Sequence, residues 1–142
     1  MSEFAGKLIG VIGAAATGRA AAPVLARLGA RVRVYDERPA EALGAAVEEI
    51  SPCADLRLGD STYSGIEECE LIVPSPGVPA DASVLRAAVE RDTPVLSEIE
   101  VAYRISRAPI IAVTGTNGKT TTVMMTADIL RTAGREVQVA GN

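Results

Sequence analysis

Residues 114–122 read Thr-Gly-Thr-Asn-Gly-Lys-Thr-Thr-Thr, and their types and spacing suit the binding of phosphate groups. Glycines let the backbone turn so that successive N–H groups point inward, and a helix that begins directly afterwards adds its dipole. Lys119 would neutralise phosphate charge, and the Thr120 hydroxyl would be a ligand for Mg²⁺. The segment therefore predicts a nucleotide-binding loop made of Gly115, Thr116, Asn117, Gly118, Lys119, Thr120 and Thr121.

This loop departs from the strict phosphate-binding pattern at one position, because Val113 stands where glycine is expected. Lys119 is one of only two lysines beside twelve arginines, which favours a requirement for a compact point charge. The alternative interpretation is a glycine turn before an ordinary helix.

A second candidate is Gly-Ala-Ala-Ala-Thr-Gly at residues 13–18, followed by Asp36 after the next predicted strand. The spacing is that of a dinucleotide-binding turn with an acidic residue for a sugar hydroxyl. Ala15 replaces the glycine that allows a pyrophosphate to approach closely, so binding of NAD is disfavoured. A purely structural tight turn is the alternative.

A third candidate is the stiff segment Val-Pro-Ser-Pro-Gly-Val-Pro at residues 73–79, which follows another predicted strand. Open α/β sheets bind ligands in loops at the carboxyl ends of their strands. A rigid turn without a ligand explains the prolines equally well.

These loops are separated by short β-branched runs that alternate with longer Ala- and Leu-rich stretches of helical period, the pattern of βαβ units. The fold class is therefore α/β, with a Rossmann-like open parallel sheet covered by helices on both faces. The predicted strands are 7–12, 31–35, 56–58, 70–73 and 94–96, and the predicted helices are 16–28, 40–49 and 82–91.

The pattern changes after Ser97, so we predict a domain boundary between residues 97 and 98. A short helix with Glu100 at the capping-box position comes first. A strand at 110–114, a helix at 119–133 and a strand at 136–140 then make one βαβ unit around the predicted nucleotide-binding loop.

Composition excludes several classes of protein. The net charge is -4, aromatic residues make 3% of the chain and Trp is absent, so a nucleic-acid-binding surface is not expected. Two cysteines without any histidine exclude a zinc site of the usual kind. No run of residues is long and apolar enough for a membrane span, and we expect a cytoplasmic protein with reduced thiols.

The three loops together resemble those of the Mur ligases. The matching residues follow the family's order over nearly the whole chain: Gly13 to Gly18, Asp36-Glu37-Arg38, Ser75-Pro76-Gly77, Ser97-Glu98-Ile99-Glu100, Ala108-Pro109, Thr114 to Thr121 and Gly141-Asn142. The Thr-Gly-Thr-Asn-Gly-Lys loop alone would indicate only the wider superfamily with folylpolyglutamate synthases. The first 97 residues favour the Mur branch.

The resemblance implies an ATP- and Mg²⁺-dependent amide ligase of peptidoglycan synthesis, closest to the member that adds D-glutamate to UDP-N-acetylmuramoyl-L-alanine through an acyl phosphate. It implies a UDP-sugar-binding domain at residues 1–97 and the start of a central ATP-binding domain at 98–142. Lys119 would be catalytic, and Thr120 would bind the metal. The residues implied for the UDP-sugar are Ala16, Thr17, Asp36 and Arg38 at uracil and ribose, Ser75 and Gly77 beside them, and Asn142 at the diphosphate.

Other residues of such a ligase would lie beyond Asn142, so we expect a piece of a longer, monomeric enzyme, inactive by itself. Two alternatives stay open. One is a nucleotide-binding or regulatory module that catalyses nothing, and the other is the alanine-adding member of the same family.

Overall fold

Short β-branched runs form a parallel sheet in the computed structural model, which describes residues 2–140. The strands β1 (Leu8–Ile12), β2 (Arg31–Asp36), β3 (Asp55–Leu58) and β4 (Leu71–Pro74) lie in the order β3-β2-β1-β4. All neighbouring pairs are parallel, which confirms the predicted α/β class. β2 and β4 flank β1 on opposite sides, and the helical segments that follow β1 and β4 pack on opposite faces of the sheet, which leaves a crevice at the carboxyl ends of these two strands.

The helices follow the predicted order with one difference, and one predicted strand is reduced. They are α1 (Ala16–Arg27), α2 (Ala40–Leu43), α3 (Ala45–Ile50), α4 (Ser83–Glu90), α5 (Glu98–Ile105) and α6 (Lys119–Thr132). The predicted helix 40–49 is broken between α2 and α3 because Gly44 has a φ of 51°, outside the helical range. The predicted strand 94–96 is reduced to a single parallel bridge between Ile72 and Val95.

Alternate residues of the strands feed two apolar clusters, one on each face of the sheet. Ile9, Val11 and Val34 belong to the cluster that includes residues of α1, α3 and α5. Ile12, Tyr35 and Ile72 belong to the cluster that includes α4 and the 3-10 turn Ile66–Glu68. Both faces of the sheet are therefore covered, as a parallel sheet requires.

The chain forms two compact units, divided between Ile105 and Ser106. Helix α5 belongs to the first unit because Val101, 5% exposed, packs in the same cluster as β1 and β2. Its start has one half of the predicted capping box: the Ser97 hydroxyl accepts a hydrogen bond from the Glu100 N–H at 3.2 Å, whereas the Glu100 carboxylate accepts from Arg104 Nε at 2.7 Å. This unit extends eight residues beyond the boundary predicted after residue 97.

In the second unit, α6 forms as predicted and ends before Gly134, whose φ is 76°. Neither predicted strand, 110–114 or 136–140, is hydrogen-bonded into a sheet within residues 106–140. A pair of strands needs further strands or a packed face to be stable, and a single helix supplies little of either.

Across residues 2–140, no helix is long and apolar enough to cross a membrane.

Candidate functional site

The loops that follow β1 and β4 touch each other at the crevice. The Ser75 N–H donates to the carbonyl of Ile12 at 2.8 Å, which continues the strand pairing into the loop. Gly13 has a φ of 104°, and a Cβ added there would lie 3.0 Å from the Ser75 Cβ. Glycine is therefore required after β1 both by the backbone conformation and by the closeness of the next loop.

Gly18 lets α1 pack closely on the sheet. A Cβ added at Gly18 would lie 2.9 Å from the Gly13 carbonyl oxygen and 3.1 Å from Ile50 Cδ1. This is the packing role of the last glycine in a nucleotide-binding turn. In the same first turn of α1, Ala16 is exposed and Thr17 is buried. Amide groups at this helix start have no carbonyl partner one turn earlier and can face an anion.

Asp36, at the end of β2, is buried and carries a dense set of hydrogen bonds. One carboxylate oxygen accepts from the Ala14 N–H at 2.9 Å and from Arg38 Nη2 at 2.8 Å. The other accepts from the Arg38 N–H at 3.0 Å and from Arg38 Nε at 2.9 Å. These bonds, above all those from the Arg38 guanidinium, lower the pKa of Asp36 to about 2. The carboxylate therefore fixes both the loop after β1 and the Arg38 side chain.

A cleft of about 590 Å³ lies at this edge of the sheet. It brings together four of the predicted substrate residues: Asp36, Arg38, Ser75 and Gly77. Ala16 and Thr17 do not line it and lie in the first turn of α1. Asn142 lies outside the described residues.

Tyr63 also lines this cleft, and the sequence analysis missed it. Its hydroxyl donates to Glu37 Oε1 at 3.0 Å, and its ring lies 6.2 Å from that of Tyr35 at a tilt of 56°. Burial, followed by the Glu37 carboxylate and the charge of Asp36, raises the pKa of Tyr63 to about 12. A signal was available, since tyrosine is rare in this chain and this one stands in the polar run Asp-Ser-Thr-Tyr-Ser.

A more apolar groove of about 720 Å³ is bounded by the same loop after β4. Ser75 and Val78 line both spaces, whereas Val89 of α4 and Ile99 of α5 line only the groove. The loop 73–79 is therefore exposed to two different surfaces of the first unit.

The predicted nucleotide loop leads into α6 in the second unit. Gly115 and Gly118 have φ values of 151° and 76°, so the turn needs glycine at both positions. Lys119 Nζ donates to the Gly115 carbonyl at 2.6 Å, and residues 114–121 are exposed. The structure thus brings the lysine, the two glycines and the helix start into one loop.

The residues of this loop fit a phosphate and a hard cation. The α6 start offers backbone N–H groups, Lys119 supplies one positive charge, and Thr120 supplies a hydroxyl oxygen of the kind that Mg²⁺ accepts. Among residues 2–140, no group of three or more Cys, Asp and Glu side chains is arranged to hold a metal ion. Thr120 is the residue of this loop that the sequence assigns to such a cation.

Comparison with known proteins adds a family to this geometry. Residues 7–97 match the family model for the N-terminal domain of MurD-like Mur ligases. The UDP-N-acetylmuramoylalanine–D-glutamate ligase of Thermoanaerobacter sp. strain X514 is 43% identical over 141 residues, covering 99% of this chain and 31% of the relative. The ligase of that name from Streptococcus pyogenes is 38% identical, covering 100% and 32%.

Among solved structures, a pseudomurein peptide ligase type C from Methanothermus fervidus has a TM-score of 0.57 at 29% identity. The match covers 91% of this chain and 27% of that one. The chain thus spans about a third of the length of the curated relatives it matches.

Proposed function

The chain belongs to the Mur ligase family, through a MurD-like N-terminal domain at residues 7–97, and we propose that this domain binds the UDP portion of UDP-N-acetylmuramoyl-L-alanine. The observation that supports this most directly is the cleft where Asp36, Arg38, Ser75 and Gly77 meet at the switch point of the sheet. Its volume of about 590 Å³ falls in the range of small-molecule sites.

Each residue has a proposed part in that binding. Arg38, whose side chain is 52% exposed, offers guanidinium N–H groups at the mouth of the cleft. Ser75 and Gly77 offer a hydroxyl and a backbone N–H from the loop after β4. Ala16 and Thr17 would contribute amide N–H groups from the first turn of α1 to the uracil and ribose. Asn142 stays a predicted diphosphate contact.

The whole protein is proposed to be an ATP-dependent, Mg²⁺-requiring ligase of the cytoplasm, monomeric, that joins D-glutamate to the UDP-sugar. Residues 115–121 would hold ATP, with Lys119 against its β- and γ-phosphates and Thr120 on the metal. ATP would supply the phosphoryl group that activates the substrate carboxylate for amide formation. Lys119 would stabilise the negative charge that this transfer spreads over phosphate oxygens.

The UDP proposal is tested by calorimetric titration of the 142-residue chain with UDP and with NAD. We expect UDP to bind more tightly than NAD. Arg38→Ala should weaken UDP binding at least about tenfold, because a hydrogen bond from a charged group contributes about 1.5–3 kcal/mol. Arg27→Ala, the same change of charge at the exposed end of α1, should leave it unchanged. Tighter binding of NAD would favour the alternative of a dinucleotide-sensing module.

The ATP proposal is tested in a full-length ligase that contains this chain. Lys119→Ala should abolish ligation while leaving UDP affinity unchanged, because the lysine belongs to the second unit. Lys7→Ala, the matched loss of one lysine, should retain activity. Near-normal turnover of the Lys119→Ala variant would contradict the proposal and mean that the loop is only a turn. We expect no amide product from the 142 residues alone, since relatives that carry the ligase name are about three times as long.

A further inference from the structure

Tyr63 occupies a backbone conformation that a bulky residue seldom adopts. Its φ is 54°, and outside glycine only Asp92 shares a positive φ within residues 2–140. Such strain persists only where the surroundings enforce it, and it is concentrated at ligand sites. The position of Tyr63 is therefore imposed by the fold rather than by local preference.

The loop around Tyr63 is held on both sides. Asp60 accepts hydrogen bonds from the Thr62 N–H at 2.8 Å and from the Ser64 N–H at 3.0 Å, which closes the turn around Tyr63. The Ile66 N–H donates to the Tyr63 carbonyl at 3.0 Å. These bonds involve the backbone of residues 62–66. The orientation of the Tyr63 ring is therefore set by the contacts of its side chain.

Those contacts hold the ring at the cleft. One contact is with the Tyr35 ring, which is fully buried in the core, and the hydroxyl is tied to Glu37, the residue directly after Asp36. Tyr63 is half-buried and lines the space that Asp36, Arg38 and Ser75 share. Within residues 2–140, Tyr35 and Tyr63 are the aromatic residues that line this cleft, and Tyr35 is 0% exposed.

We propose that Tyr63 is the aromatic contact for the nucleobase of the bound UDP-sugar, its ring packing against the base while Glu37 holds its hydroxyl. This rests on the proposed UDP site. The surface of the cleft fits a flat pyrimidine base. An aromatic face can stack on any base, while neighbouring polar groups bind the edge of that base.

The absence of tryptophan from the chain makes a direct test possible. Tyr63→Trp keeps an aromatic face at the cleft and introduces a single fluorescent reporter. Tyr103→Trp, on α5 at a residue that is 64% exposed and lines neither space, is the matched control. Each variant is titrated with UDP, following tryptophan fluorescence and heat of binding. Tyr63→Ala is titrated by heat alone, after its thermal unfolding is compared with that of the wild type.

We expect UDP to quench the fluorescence of Tyr63→Trp, which should bind within about threefold of the wild type, and to leave the fluorescence of Tyr103→Trp unchanged. Tyr63→Ala should lose about fivefold or more in UDP affinity, the range found when stacking residues are removed. Unchanged fluorescence of Tyr63→Trp at saturating UDP would overturn the inference and leave Tyr63 as a packing partner of Tyr35. If Tyr63→Ala fails to fold, the fluorescence titration of Tyr63→Trp decides alone. Failure of the wild type to bind UDP at millimolar concentration would instead refute the proposed function.

Discussion

Asp36 contributes to the fold and to the candidate site through the same four hydrogen bonds. Two carboxylate oxygens accept at most about four such bonds, and the Ala14 and Arg38 donors already supply that number. A ligand that bonds directly to Asp36 must therefore displace an Arg38 donor. Arg38 is the exposed partner of the pair, so its movement requires no rearrangement of the core.

We predict that Asp36→Asn lowers the free energy of unfolding by about 2 kcal/mol at pH 7. The pKa of Asp36 falls from 3.8 to about 2 on folding, and each pH unit corresponds to about 1.4 kcal/mol. Because the folded pKa lies below the unfolded value, the stabilisation is complete above about pH 5 and is lost as pH falls through 2. Urea unfolding at several pH values between 7 and 2 measures the difference between wild type and variant.

The control for this prediction is Glu41→Gln, at an exposed position on α2, which should change stability by less than about 0.5 kcal/mol. The difference in stability between wild type and Asp36→Asn could instead stay constant down to pH 2. That result would contradict the prediction, because it would show that the charge of the Asp36 carboxylate does not stabilise the fold.

At the scale of elements, the start of α1 is determined by how closely it approaches the sheet. An alanine is normally better than glycine inside a helix by about 1 kcal/mol. At Gly18 the added methyl group would meet a backbone oxygen at 2.9 Å, with Ile50 and Val34 side chains behind it. Local helix propensity and tertiary packing therefore predict changes of opposite sign in the free energy of unfolding for Gly18→Ala.

We predict that Gly18→Ala destabilises the chain by about 1–3 kcal/mol, the cost of overpacking a filled site. Denaturant unfolding measures the free energy of unfolding, which should be lower for Gly18→Ala than for the wild type. Ala20→Gly, at an exposed position of the same helix, should cost about 1 kcal/mol from propensity alone. A more stable Gly18→Ala variant would mean that α1 is free to move away from the loop after β1.

At the scale of the whole molecule, the two units differ in how many apolar residues they bury. The first has a four-stranded sheet covered on both faces, whereas Ala127 is the buried residue of α6. Local unfolding requires least free energy where few apolar contacts are buried. The proposed ATP loop therefore belongs to the less protected part of the chain.

We predict that amide exchange is slowest in β1, β2 and β4 and fastest in residues 106–140, with α6 exchanging well ahead of the sheet. Helix α5 should group with the first unit, because Val101 is buried there. Exchange followed by NMR or mass spectrometry tests both points. Protection of α6 equal to that of β1 would show that the second unit is as stable as the first.

The amino-acid sequence alone was enough to predict the class of fold, the three candidate loops and most strands and helices of the first unit to within about two residues. It did not predict the split of helix 40–49 or the reduction of strand 94–96 to a single bridge. Hydrophobic periodicity, glycine and proline are local signals. They indicate burial and turns that depend on residues close in the sequence. The split at Gly44 was missed because a glycine is tolerated within a helical pattern until the surroundings favour another conformation.

Which residues meet at the cleft depends on the tertiary structure. Strand order and register bring Asp36 and Ser75 to one cleft, and the loop after β3 adds Tyr63, whereas Ala16 and Thr17 lie outside its lining. Packing of Val101 places α5 with the first unit, and the segments 110–114 and 136–140 do not pair as strands. The reason is the same in each case: convergence and pairing depend on partners distant in sequence, which local patterns do not contain.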